Sequence, residues 1–353
     1  MQTQHEQVTR FHDPEVGLTA FVAIHSTALG PALGGVRFWH YATEADALAD
    51  VLRLSEAMTM KAAVAGLDQG GGKTVVLWSD PRAARSDAFL CSLGRCIDAL
   101  GGRYLAAEDV GASPRDMDGI ARETAWVTGV DPARGGSGDP SPVTALGVLH
   151  AMRATLDTSS LAGRMVVIQG AGHVGTCLAR LLVDEGAHVA IADVDREKAE
   201  AVGVRVIPPE EALTTSCDVL APCALGGVIT VDAVAHMRAP VVCGGANNQL
   251  ADDAAGDALA ERGIVYAPDY VVNAGGIINI AREWNQVVDV ETIGATTRRV
   301  LELARTENIT PGRAADELAR RRIAAEGQPP YRPGEPSVMR DALLVRRERF
   351  RTA

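Results

Sequence analysis

Between an apolar run, Met165-Val166-Val167-Ile168-Gln169, and a helical stretch, the chain carries Gly170-Ala171-Gly172-His173-Val174-Gly175. The next apolar run, His188-Val189-Ala190-Ile191-Ala192, ends at Asp193. A strand, a glycine-rich turn opening a helix, and a second strand closed by an acid are the parts of a β-α-β unit that binds a dinucleotide. Gly170 permits the tight turn, Gly172 lets a pyrophosphate approach the backbone, and Gly175 lets the helix pack on the strand. His173 and Val174 are the intervening residues of this turn, where free N–H groups at the helix start attract phosphate. Asp193 can accept hydrogen bonds from adenosine ribose hydroxyls and would repel a 2′-phosphate, so the predicted cofactor is NAD rather than NADP. Further short apolar runs at 204–207, 218–220, 240–243 and 264–267 alternate with helical stretches to about residue 325. That alternation predicts a doubly wound parallel sheet.

At 353 residues the chain is long for one core, and two domains are expected. Gly135-Gly136-Ser137-Gly138-Asp139-Pro140 is dense in turn formers and marks the boundary. The reading is an α/β chain with an N-terminal α/β domain over 1–140 and a Rossmann-type domain over 141–325, with 326–353 able to fold back onto the first. In the first domain, 17–25 reads as a strand and 44–64 as a helix, with Thr43 as N-cap and Asp46 three residues on. The run Gln69 to Gly72 reads as a turn, and Lys73 as the start of a strand through Trp78. A helix near 85–99, a strand at 103–107 and a turn at 108–111 follow. Ser141 reads as the N-cap of the next helix, with Pro142 at its first position.

The formal net charge is −11 with a pI near 5.2, and no basic cluster stands out before the tail Arg346-Arg347-Glu348-Arg349, so nucleic acid is not an expected partner. The first residues lack a basic and apolar leader pattern, and no apolar run reaches membrane-spanning length; a soluble, cytoplasmic protein is expected. The six cysteines are scattered without a C-x-x-C pair and read as reduced thiols, and the histidines form no metal-ligand spacing, so no metal is expected.

Only three lysines occur, Lys61, Lys73 and Lys198, although Lys and Arg together number 34. Arg serves wherever a permanent cation suffices, but it cannot release its proton near neutral pH; a buried lysine can. Lys61 at a helix end and Lys73 beside a triple glycine are therefore candidates for one site. Lys198 reads as a solvated helix residue.

Pro31-Ala32-Leu33-Gly34-Gly35-Val36-Arg37, Met58-Thr59-Met60-Lys61, Gly70-Gly71-Gly72-Lys73 and Ala107-Glu108-Asp109-Val110-Gly111 resemble motifs of the Glu/Leu/Phe/Val amino-acid dehydrogenase family. Ala221-Pro222-Cys223-Ala224, Gly245-Ala246-Asn247-Asn248-Gln249-Leu250 and Pro268 through Gly276 extend the resemblance in order over nearly the whole chain, nearest the leucine/valine branch. The resemblance implies NAD-dependent oxidative deamination of an L-amino acid to a 2-oxo acid and ammonia, and the reverse amination. It implies that Lys61 holds the substrate α-carboxylate with the backbone at Gly34 and Gly35, that Lys73 activates water and bonds the developing carbonyl oxygen, and that Asp109 is the general acid/base. Burial and the Lys61 charge are expected to lower the pKa of Lys73. Asn273 would orient the substrate amine or the nicotinamide amide, and Thr144, Cys223, Ala224, Asn247 and Asn248 would contact the cofactor. Closure of a cleft between the domains would exclude water.

The side-chain pocket implied is Leu33, Met58, Ala107, Thr297 and Val300. Glutamate dehydrogenases carry a lysine where this chain has Leu33, so a second carboxylate would be unpaired here and glutamate is disfavoured. Leu, Val and Ile are the expected substrates, with phenylalanine the alternative; Thr297 departs from the aliphatic residue expected in a leucine enzyme. A homo-oligomer is implied, from dimer to octamer. On the residues alone, Asp109 could be a turn aspartate, Asn273 a helix cap and Cys223 a packing residue, while Arg37, Trp39 and Trp284 read as structural. A 2-hydroxy-acid dehydrogenase would share the fold but would leave the lysine pair unexplained. A non-catalytic NAD-binding protein would be expected to have lost Lys73 or Asp109.

Overall fold

The structure is a computed structural model and describes residues 5–80, 84–284 and 286–327. Two compact units partition the chain: Met1–Gly138 with Asn279–Val287 and the segment from Ala319 onward, and Asp139–Ile278 with Val288–Leu318.

The first unit is built on a five-stranded sheet. Its elements run β1 (Gln7–Asp13), β2 (Leu18–Ser26), β3 (Ala32–Trp39), α1 (Glu44–Val64), β4 (Gly70–Leu77), α2 (Asp87–Asp98), β5 (Tyr104–Glu108) and α3 (Pro114–Ile120). The strand order is β1-β2-β4-β3-β5, with β3 parallel to both β4 and β5 and the β1-β2 and β2-β4 pairs antiparallel. One face is covered by α2 and α3 over a core that includes Leu18, Phe38, Phe89, Leu93 and Tyr104. The other is covered by α1, where Ala47 and Val51 meet Phe21 and Val75. Helix α1 occupies the span expected, and its start has a chemical cause. The Thr43 hydroxyl accepts from the Asp46 N–H while the Asp46 carboxylate accepts from the Thr43 N–H, a capping box.

Two local expectations need correction. The glycines at 70–72 are not a turn but the first residues of β4, and Lys73 is its fourth residue. They are glycines because neighbours pass too close for a side chain. A Cβ on Gly71 would lie 2.1 Å from the Thr59 nitrogen on α1, and one on Gly70 would lie 1.8 Å from the Ser26 carbonyl oxygen. The helix at 141 is entered from Pro140 without a side-chain cap, and Ser141 instead donates its N–H to Asp139.

The second unit contains α4 (Ser141–Thr155), β6 (Met165–Gln169), α5 (His173–Asp184), β7 (His188–Ala192), α6 (Arg196–Ala201), β8 (Arg205–Val206), β9 (Val219–Pro222), α7 (Val231–His236), β10 (Val241–Val242), α8 (Asp253–Glu261), β11 (Val265–Tyr266), α9 (Asp269–Val272) and α11 (Thr292–Glu307). The helices α10 (Gly275–Ala281) and α12 (Pro311–Glu326) each run through residues of both units. The six strands are parallel in the order β11-β10-β9-β6-β7-β8, so the sheet grows outward in both directions from β6. This doubly wound order opens a crevice at the C-terminal ends of β6 and β9, where such sheets bind ligands.

Residues 279–287, read from the sequence as part of the second domain, pack in the first unit. Trp284 is fully buried and stacks on Trp126 with ring centroids 6.4 Å apart. Glu283 accepts from the N–H groups of Gly129 and Ser137, and Gln286 pairs with the Asp68 backbone in both directions. At the end of α12, Arg322 donates to the carbonyls of Ala63 and Leu67 and pairs with Asp68. The expected fold-back of 326–353 lies almost wholly outside the described residues.

Candidate active site

Three parallel strands of the first unit assemble a charged cluster. The register pairs Leu33 with Gly71 and Val36 with Thr74, which sets Lys73 on β4 beside Gly35 on β3. On the other side of β3, Gly35 pairs with Ala107 and Val36 with Glu108, so the residue after β5, Asp109, stands at the level of Arg37. With no side chain at Gly35, Lys73 can reach across: a Cβ there would lie 2.5 Å from the Asp109 Cβ. The Lys73 Nζ is 2.9 Å from Asp109 Oδ2, and the Arg37 Nε donates to the same oxygen at 2.9 Å. Behind them, Arg37 Nη1 donates to Asp50 Oδ2 at 3.0 Å, Tyr41 donates its hydroxyl to that oxygen at 2.6 Å, and Arg53 donates to Asp50 Oδ1 at 2.8 Å.

Lys73 is 4% exposed. Burial pushes its pKa below the ordinary lysine range against the opposing pull of Asp109, and the Arg37 charge pushes in the same direction as burial. The expected source of that second contribution, Lys61, is replaced by Arg37. Burial would raise the Asp109 pKa, but Lys73 and Arg37 outweigh it and hold the carboxyl below its usual range. Lys61 lies in the last turn of α1, half-buried. Gly34 presents its carbonyl to the Tyr104 hydroxyl at 2.7 Å, and a Cβ on Gly34 would collide with the Gly72 carbonyl. Arg37 and Asp50 were missed as site residues. The available signal was the position of Arg37, two residues beyond Gly35 and therefore on the same face of β3.

In the second unit, the turn after β6 has the form its glycines require. Gly170 has φ +109°, and a Cβ there would lie 2.8 Å from the Ala224 nitrogen after β9. A Cβ on Gly175 would lie 2.0 Å from the Gly170 carbonyl oxygen, so only glycine allows α5 to sit this close. Gly172 differs: it is the N-cap of α5, makes no side-chain cap bond, and a Cβ there would meet nothing within 4 Å. Its bareness therefore serves no internal packing and leaves the helix N–H groups open to an anion. Asp193 follows the last residue of β7 and accepts from the N–H groups of Ala171 at 2.7 Å and Asp195 at 2.8 Å, which fixes the acid at the lip of the turn. These residues fit a dinucleotide. His173 is largely exposed, 3.8 Å from Asp139.

The Asn273 amide donates to Asn247 Oδ1 at 2.7 Å and to the carbonyls of Gly245 and Ala246 at 3.4 Å, bracing the 245–248 loop, in which Asn248 takes φ +52°. Asn273 closes α9 rather than opening α10. Gln249, fully buried, donates to the Gly244 and Ala246 carbonyls beneath the same loop. Thr144 is buried on α4 with its hydroxyl on the Pro140 carbonyl at 2.9 Å. The Cys223 thiol accepts from the Gly245 N–H, and burial pushes its pKa up to about 11, which suits packing rather than nucleophilic attack. Of the expected pocket residues, Leu33 and Ala107 are buried on β3 and β5 and Met58 is half-buried on α1, all in the first unit; Thr297 and Val300 are buried on α11 in the second.

Residues 5–126 match the description "Glu/Leu/Phe/Val dehydrogenase, dimerisation domain", and residues 135–197 and 191–302 match "Glutamate/Leucine/Phenylalanine/Valine dehydrogenase". The chain belongs to this family. It is an amino-acid dehydrogenase with NAD as its cofactor. Among its relatives are a leucine dehydrogenase of Thermoactinomyces intermedius, 46% identical over 90% of this chain and 91% of that protein, and a valine dehydrogenase of Streptomyces virginiae, 46% identical over 92% and 95%. Among solved structures, L-tryptophan dehydrogenase from Nostoc punctiforme superposes with a TM-score of 0.81 at 35% identity, covering 92% of this chain and 97% of that one.

Proposed function

We propose that this enzyme oxidatively deaminates branched-chain aliphatic L-amino acids, namely leucine, valine and isoleucine, to the 2-oxo acid and ammonia, and runs the reverse amination. The observation that carries the reaction is a 4%-exposed lysine joined at 2.9 Å to an aspartate, Lys73 to Asp109. In this reading Lys61 holds the substrate α-carboxylate, with the backbone at Gly34 and Gly35 beside it. Ionised Asp109 takes a proton from the substrate ammonium, so that the nitrogen lone pair can support the positive charge that develops when Cα is oxidised. The Gly170–Gly175 turn and Asp193 would hold NAD, which would supply the hydride acceptor for Cα. Lys73, its proton affinity lowered by burial, takes a proton from the water that adds to the resulting iminium carbon. Protonated Asp109 then returns its proton to the nitrogen, and the C–N bond breaks as the carbinolamine O–H proton passes to the departing ammonia, which leaves as ammonium. Lys73 bonds the new carbonyl oxygen before releasing its extra proton to solvent.

Leu33, 1% exposed, supports an apolar substrate, because a second carboxylate beside it would be left without a cation. Thr297 does not argue against this: its hydroxyl donates to the Ile293 carbonyl at 2.8 Å, so its polarity is satisfied within α11. The match of residues 5–126 to a dimerisation domain supports a homo-oligomer. The decisive assay is NADH oxidation with ammonia and a panel of 2-oxo acids. Turnover of 4-methyl-2-oxopentanoate and 3-methyl-2-oxobutanoate is expected to exceed that of phenylpyruvate; a preference for phenylpyruvate moves the enzyme to the aromatic alternative, and inertness toward all three rejects the reading. Lys73→Ala is expected to abolish turnover with NADH binding unchanged; parallel loss of NADH binding would make Lys73 structural.

A further inference from the structure

We infer that Arg37 is a positioning residue for this reaction: with Lys73 it occupies one oxygen of Asp109 and so leaves the other, Oδ1, as the oxygen that exchanges protons with the substrate nitrogen. The inference rests on the roles proposed above for Lys73 and Asp109.

Two cations converge on Asp109 Oδ2, each at 2.9 Å, whereas Oδ1 makes no hydrogen bond among the described residues. A carboxylate with one oxygen doubly held cannot rotate without breaking both bonds. Arg37 is itself held, because its Nη1 donates to Asp50 on α1 while its Nε donates to Asp109. Asp50 is clamped in turn by Tyr41, in the connection from β3 to α1, and by Arg53, one turn along α1. The planar guanidinium fork spans two carboxylates in a fixed geometry, which a lysine ammonium cannot reproduce. About a fifth of the Arg37 and Asp109 side chains remains exposed, so the pair lies at the lip of the cluster and not in the core.

The charged groups acting on Asp109 are Lys73 on β4 and Arg37 on β3, with Asp50 and Arg53 behind Arg37 on α1. Removing the Arg37 charge lets the pKa of both Asp109 and Lys73 rise, since it lowers each of them. Deamination requires Asp109 ionised and Lys73 neutral, so both changes move the acid limb of the kcat/KM profile to higher pH.

The test measures pH profiles of kcat and kcat/KM for leucine deamination, with NADH affinity by fluorescence, in Arg37→Gln, Arg37→Lys, Lys73→Ala and Asp109→Asn. Arg37→Gln is expected to lose roughly a hundredfold in kcat, the scale seen when a reacting group is displaced by about 1 Å. Its acid limb should move alkaline and its NADH affinity should be unchanged. Arg37→Lys should restore the wild-type limb, because it restores the charge, but should stay about tenfold below wild type in kcat. An Arg37→Gln enzyme with an unmoved limb, or an Arg37→Lys enzyme equal to wild type in kcat, overturns the inference; the second outcome decides even if Arg37→Gln does not fold. Active Lys73→Ala or Asp109→Asn enzymes would instead overturn the roles on which it rests.

Discussion

At the scale of single residues, the site depends as much on absent side chains as on present ones, and the glycines divide into two kinds. Gly35 and Gly175 are bare because protein atoms occupy the space, whereas Gly172 is bare toward open space. That difference makes a prediction. Gly172→Ala should cost at most about 1 kcal/mol of stability, the scale of an N-cap change, because its Cβ meets no protein atom. It should weaken NADH binding at least about tenfold, because in the proposed site the pyrophosphate approaches there. Paired thermal melts and NADH titrations check this, and an unchanged affinity would mean the phosphates lie elsewhere. Among the charged residues, the lysines were legible from their rarity, since Arg cannot lend a proton. Arg37 was not, because an arginine in an arginine-rich chain carries no compositional signal.

At the scale of elements, local chemistry set some boundaries and neighbours set others. Helix α1 begins and ends where its capping box and apolar stripe indicate, and β6, α5 and β7 follow the fingerprint. Two of the failures occurred at glycines. Gly70-Gly71-Gly72 and Gly34-Gly35 lie inside β4 and β3, although such runs usually mark turns. β1 and β3 were not read as strands at all, one an edge strand and one interrupted by glycines. What makes Gly71 obligatory is helix α1 lying against the strand, a contact between residues distant in sequence. Gly71→Ala should therefore destabilise the first unit by about 3 kcal/mol, the upper range for an added buried methylene, seen as a lower urea midpoint. A substitution without effect would mean that α1 can lift away from β4 without penalty.

At the scale of the whole molecule, the chain does not divide at a single boundary. Residues 279–287 return to the first unit and 288–318 belong again to the second. Trp284 is what anchors the return: it is fully buried and stacked at 9° on Trp126. Trp284→Ala is expected to cost the first unit about 3–5 kcal/mol while NADH binding by the second is kept. Unfolding followed separately by far-ultraviolet circular dichroism and NADH fluorescence would separate these, and loss of both together would show that the units unfold as one. The Gly-rich linker at 135–140 was readable because turn formers act locally. The second crossing was not, because what draws Asn279–Val287 back is contact with Trp126, Gly129, Ser137 and Asp68, residues far away in sequence. Sequence alone determined the family and the cofactor and pointed to the Gly170–Gly175 turn and the two lysines, because each depends on residue types at short spacing. Only the tertiary structure decided that Arg37, Lys73 and Asp109 meet on one carboxylate oxygen, because that depends on the order and register of three parallel strands, and strand pairing is not local.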